Sequence, residues 1–145
     1  MSSSSATPGH LVWRLAMKWR VAVDRALTPH GLTHAQYVVL ASLLAFDTPP
    51  SQRELADFTG LEALYVSKLA RALDADGLIQ RTRDKADTRT VRVSLTDRGH
   101  SVVLPAVELV GALLDRLLAP LGGRSGDRTA ALSRDLTALL SVPLD

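Results

Sequence analysis

The sequence predicts a mainly α-helical fold with one small β-wing, on three observations. Apolar residues recur every three or four positions over most of the chain, as amphipathic helices require. Two segments of helical length, opened by Ser51 and by residues 61–63, meet at the tight turn Thr59-Gly60. Between residues 78 and 95 the period shortens to two, the spacing of half-buried strands.

The first helix is expected over residues 10–28, with Leu11, Leu15, Trp19, Ala22 and Ala26 on its apolar side and Pro29 and Gly31 as its end. Residues 1–9 read as a disordered tail. Their Ser-rich start lacks the charged and then apolar order of a signal peptide. Thr33 and Gln36 stand three apart, so hydroxyl and amide satisfy each other's orphan backbone donors and open a second helix, stopped by Pro49 and Pro50. Ser51 and Glu54 repeat this capping box for a short helix to about Phe58. The next helix runs to about Ala75, and Gly77 supplies a left-handed cap.

Residues 78–82 and 90–95 form the strands of a hairpin, with residues 83–89 as its charged tip; Val91, Val93 and Leu95 alternate with polar neighbours. A helix-turn-helix followed by such a hairpin is a winged helix-turn-helix. Thr96 is placed to cap a long helix to about Leu118, which Pro105 should kink or truly begin. Gly122-Gly123 breaks the chain, and a last helix over residues 127–140 carries Ala131, Leu132, Leu136, Leu139 and Leu140 on one side.

At 145 residues the chain has the size of one domain, here residues 10–145. It has no cysteine, so disulfides, thiolate metal sites and catalytic thiols are excluded, and a cytoplasmic location fits. No apolar run approaches the length that crosses a bilayer. Net charge is +2, but residues 81–92 hold Arg81, Arg83, Lys85, Arg89 and Arg92 against Asp84 and Asp87, a local excess of +3. Positive charge gathered in so short a segment is a footprint for phosphate.

In the helix from about Leu61 to Ala75, the residues Val66, Leu69, Ala70 and Leu73 make one buried stripe, which turns Leu64, Lys68 and Arg71 outward with Tyr65 and Ser67 at the flanks. Such a face suits the major groove, where cations meet base acceptors and a leucine meets a thymine methyl. Leu64 packing on a neighbour, or the charges forming a solvated face, are the plainer readings. In the hairpin, Arg83, Lys85 and Arg89 would straddle a sugar-phosphate backbone, one arginine entering the minor groove, with Asp87 orienting Arg89. The plainer reading is a tip kept soluble by charge.

The succession Gly31-Leu32-Thr33, Gln36-Tyr37, Leu40, Arg53-Glu54-Leu55-Ala56, Ser67-Lys68-Leu69, Leu73, Gly77-Leu78-Ile79, Arg81, Asp84, Asp87, Arg89, Val93-Ser94-Leu95-Thr96 and Gly99 resembles the MarR family. The resemblance covers residues 10–141. It implies a homodimeric transcription regulator, more often a repressor, whose dimerisation helices (residues 10–31 and 101–145) flank a DNA-binding winged helix-turn-helix lobe (residues 32–100). The partner is then double-stranded DNA with a palindromic operator. A proline common after the first wing aspartate is Lys85 here, and Glu62 replaces a usual hydroxyl cap, leaving Thr59 as the candidate cap.

The resemblance also implies a ligand site near the first two helices, where Trp13, Met17, His34 and Tyr37 would enclose a small aromatic or phenolic molecule; core or interface packing is the alternative. His30 and His34 are separated by Gly31 and the Thr33 cap and do not share a helical face, so no metal site is expected. No cofactor is implied, and no catalytic signature stands out. The competing function is a winged-helix module that binds a protein without DNA.

Overall fold

The computed structural model describes residues 5–145; residues 1–4 of the expected tail lie outside the described residues. Helix α1 spans Pro8–Leu27, two residues earlier than the sequence suggests. Thr7 accepts a hydrogen bond from the His10 amide, and Pro8 takes the first helical position, where a missing N–H leaves nothing unpaired. A single 3-10 turn, Thr28–His30, closes on Gly31 in the left-handed region.

Helix α2 (His34–Leu43) and helix α3 (Gln52–Thr59) each begin with the expected reciprocal capping box, Thr33 with Gln36 and Ser51 with Glu54. Helix α2 ends at Leu43, well ahead of the prolines that were expected to stop it. Helix α4 (Ala63–Ala75) ends as Gly77, at φ 76°, lets its own amide reach Asp74 O and that of Leu78 reach Leu73 O.

Strands β1 (Ile79–Arg83) and β2 (Val91–Leu95) pair antiparallel with Arg81 opposite Val93. The sequence did not reveal that the far edge of β2 is also paired: the Val93 amide donates to Pro50 O at 2.9 Å and Ser51 bridges Arg92. A one-residue bridge has no periodicity to read.

Helix α5 covers Asp97–Leu117 with Pro105 inside it, so Thr96 marks its start. The Thr96 hydroxyl accepts from the Gly99 amide and donates to Gly77 O at 2.6 Å. A Cβ at Gly99 would collide with the Leu78 carbonyl, which is why this turn takes glycine.

The described residues form two compact units, divided between Val107 and Glu108. In the first, Val23 and Leu27 of α1, Val39 and Leu40 of α2, Leu55, Val66, Leu73, Ile79, Val93 and Val103 are fully buried. Leu11 and Leu15 are exposed, as are Val12, Trp13, Met17 and Val21, because periodicity shows that a face is apolar without showing what covers it.

In the second unit, Gly122 and Gly123 adopt positive φ and lead into helix α6 (Asp127–Leu140). Arg124 grips Asp115 through its amide and guanidinium, both at 3.0 Å. Leu136, Leu139 and Leu140 of α6 are exposed. No helix of the described residues is long and apolar enough to cross a membrane.

Candidate nucleic-acid interface

Helix α4 buries Val66, Leu69, Ala70 and Leu73, the stripe expected from spacing. The opposite face carries Leu64, 84% exposed, with Tyr65, Lys68 and Arg71 also exposed and Ser67 half-buried. Such exposure leaves little of Leu64 to pack against the other described residues. Among the described residues, neither Lys68 nor Arg71 makes an ion pair.

Thr59 does not cap α4, contrary to expectation. Its hydroxyl donates to Leu55 O at 2.7 Å and accepts from the Leu61 amide, so it finishes α3. Glu62 occupies the cap position of α4 without a side-chain hydrogen bond, leaving the first amides of α4 uncapped.

In the wing, Asp87 accepts from the Arg89 amide at 3.1 Å and from Arg89 Nε at 3.2 Å, with Thr90 on its other oxygen. These hydrogen bonds, the Arg89 amide first, hold the Asp87 carboxyl below the usual aspartate range. The Arg89 side chain is 91% exposed, so its terminal nitrogens point to solvent. Lys85 is exposed and makes no ion pair among the described residues. Arg83 donates to Thr88 O across the tip at 2.8 Å and stiffens the loop.

Two arginines of the basic run serve the frame. Arg81 Nε bonds Asp74 at 2.8 Å, joining β1 to the last turn of α4. Arg92 reaches Glu54, Asp84 and Pro49 O, joining β2 to the start of α3. The Glu54 carboxyl is drawn below its ordinary value, chiefly by the Ser51 amide and hydroxyl and further by Arg92.

Sequence reasoning missed Arg53 as a functional candidate. It is exposed on the first turn of α3 and lines, with Gln52, Asp87, Arg89 and Thr90, a concavity of about 490 Å³. Its one signal in the sequence is a cation beside the buried Leu55 and Ala56.

Of the four ligand candidates, Trp13 and Met17 are exposed while His34 and Tyr37 are half-buried, so the group is open to solvent in the single chain. Desolvation lowers the His34 pKa, against Asp24, which raises it; burial raises that of Tyr37. Among the described residues, no three metal-ligating side chains are grouped to hold an ion.

A second helix with an outward polar and cationic face, following a tight turn and followed by a braced cationic hairpin, defines a winged helix-turn-helix protein of the nucleic-acid-binding class. The family model of the MarR family matches residues 30–90. The uncharacterised HTH-type transcriptional regulator YdcH of Bacillus subtilis is 34% identical over 112 residues, which is 75% of this chain and 76% of that protein.

Among solved structures, CouR from Rhodococcus jostii RHA1 bound to p-coumaroyl-CoA is similar with a TM-score of 0.80 at 25% identity, over 100% of this chain and 99% of that one. The MepR–DNA complex of S. aureus is similar with a TM-score of 0.84 at 25% identity, over 94% and 98%. The chain belongs to the MarR family and is a transcriptional regulator of the winged helix-turn-helix type.

Proposed function

We propose that this regulator binds double-stranded DNA as a homodimer on a palindromic operator, acts as a repressor in the cytoplasm, and is released by a small aromatic or phenolic ligand. The observation that carries the reading is the frame: Arg81 and Asp74 join the wing to α4, so that two sets of outward cations belong to one body. On α4, Leu64, Tyr65, Ser67, Lys68 and Arg71 read base edges; in the wing, Arg83, Lys85 and Arg89 meet the backbone, with Asp87 aiming Arg89.

Dimerisation accounts for apolar surface that water otherwise meets. In α1 this includes Trp13, 65% exposed, and in α6 Leu139, 64% exposed. A second chain would also wall in Trp13, Met17, His34 and Tyr37, which supports a ligand site there; the CouR complex shows that a relative takes a phenolic thioester. We infer a regulator without enzymatic activity. Glu54, Asp84 and Asp87 serve hydrogen bonds and ion pairs that brace the fold.

Selection of bound sequences from a random duplex pool, followed by gel-shift titration at several salt concentrations, tests this reading. The expected result is a short inverted repeat bound with steep salt dependence. A folded protein that enriches no sequence and shows no salt-sensitive affinity would instead support a protein-binding module.

A further inference from the structure

We propose that the concavity between the first turn of α3 and the wing is the seat of one DNA backbone phosphate, clamped between Arg53 and Arg89. The inference rests on the DNA-binding reading and adds to it a residue outside both the reading helix and the wing.

Two cations from separate elements line this space, Arg53 from α3 and Arg89 from the hairpin. Among the described residues Arg53 has no hydrogen-bonding or ion-pair partner. Asp57, one turn along α3, does not pair with it, and Glu54 beside it turns back to the Ser51 amide and to Arg92. Arg89 uses Nε on Asp87, which leaves its two terminal nitrogens for an anion. The one carboxylate in the lining, Asp87, has both oxygens occupied by Arg89 and Thr90.

The walls are fixed to each other. Val93 bonds Pro50 O, Ser51 bridges Arg92, and the Arg92 guanidinium reaches both Pro49 O and Glu54. Arg53 and Arg89 therefore line a common space whose backbone walls are held together before a ligand arrives, so that binding has mainly their two exposed side chains to order. Planar guanidiniums from two sides suit a tetrahedral phosphate oxyanion.

The test uses the full-length protein and the duplex it selects from a random pool. Arg53→Ala should weaken binding about 10-fold without altering base preference and reduce the slope of log affinity against log salt by about 0.9, the change for one phosphate contact. A methylphosphonate scan then removes the charge of one phosphate at a time. One position per half-site should make the duplex indifferent to both Arg53→Ala and Arg89→Ala. Arg53→Lys should restore the salt slope while recovering part of the affinity.

If wild-type protein binds in a salt-sensitive manner and Arg53→Ala changes neither affinity nor slope, the clamp is wrong and the DNA reading stands. Two different phosphates answering to the two arginines would also overturn the shared seat. If the wild type itself selects no duplex, the DNA reading fails first. Arg53 is exposed, so an unchanged circular-dichroism melt should show that the variant folds.

Discussion

Arg81 Nε lies 2.8 Å from Asp74 Oδ2, and through this bond the first strand of the wing is tied to the last turn of α4. Gly77 turns the chain between them, so the pair joins residues seven apart in sequence. Both side chains are about one-third exposed, which limits what the pair adds to global stability. A double-mutant cycle of Asp74→Ala and Arg81→Ala in urea should give a coupling of roughly 0.5–1 kcal/mol. DNA affinity should fall several-fold on every sequence, since the loosened wing is not a base reader. Zero coupling with full affinity would show that the wing holds its place without the pair.

The outward face of α4 should set base preference. Lys68→Ala and Arg71→Ala are each expected to remove about 1–3 kcal/mol from binding to the selected sequence and to flatten discrimination at one position. Arg89→Ala should weaken binding to most sequences alike. Leu64→Ala should leave stability within about 0.5 kcal/mol, since Leu64 is almost bare, yet abolish the response to replacing one thymine by deoxyuridine, which lacks the methyl group. Gel shifts on single-substituted duplexes read all four variants, and unchanged profiles would remove α4 from base reading.

The starts of α2 and α3, the end of α4 and the α4 stripe were legible because their causes are local. Capping boxes at Thr33 and Ser51, the cap at Gly77 and the three-and-four spacing of Val66, Leu69, Ala70 and Leu73 each act within a few residues. The Asp87–Arg89 contact, two residues apart, was legible for the same reason. Arg92 was not, because its partner Glu54 lies 38 residues away, and a run of basic residues does not say which of them turn inward. Arg53 was missed because its meaning depends on the wing standing opposite, which no spacing within α3 encodes.

The exposed apolar side chains of α6 should mark an interface. Leu139→Glu places a charge where a second chain would bury a leucine, and sedimentation of the variant should show monomers at concentrations where the wild type is dimeric. Since Leu139 contributes little to the single chain, helix content should be retained. A wild-type chain that sediments as a monomer would remove the dimer from the account.

Acid should release the α3 cap. The fold prefers Glu54 ionised, because the Ser51 amide hydrogen-bonds its carboxyl, the adjacent Ser51 side chain favours the anion and Arg92 attracts it, so its folded pKa lies below that of the unfolded chain. The stabilisation is therefore fully present above the ordinary glutamate value and is lost as pH falls through the depressed folded one, from about pH 5 downward. Asp87 and Asp115, lowered by bonds from Arg89 and Arg124, contribute with the same sign. The urea midpoint of the wild type should fall over this window, and Glu54→Gln should lower the plateau above it while flattening the descent. A Glu54→Gln curve parallel to the wild type would mean that the carboxylate does not stabilise the start of α3, and that Arg92 braces the wing through Asp84 and Pro49 alone.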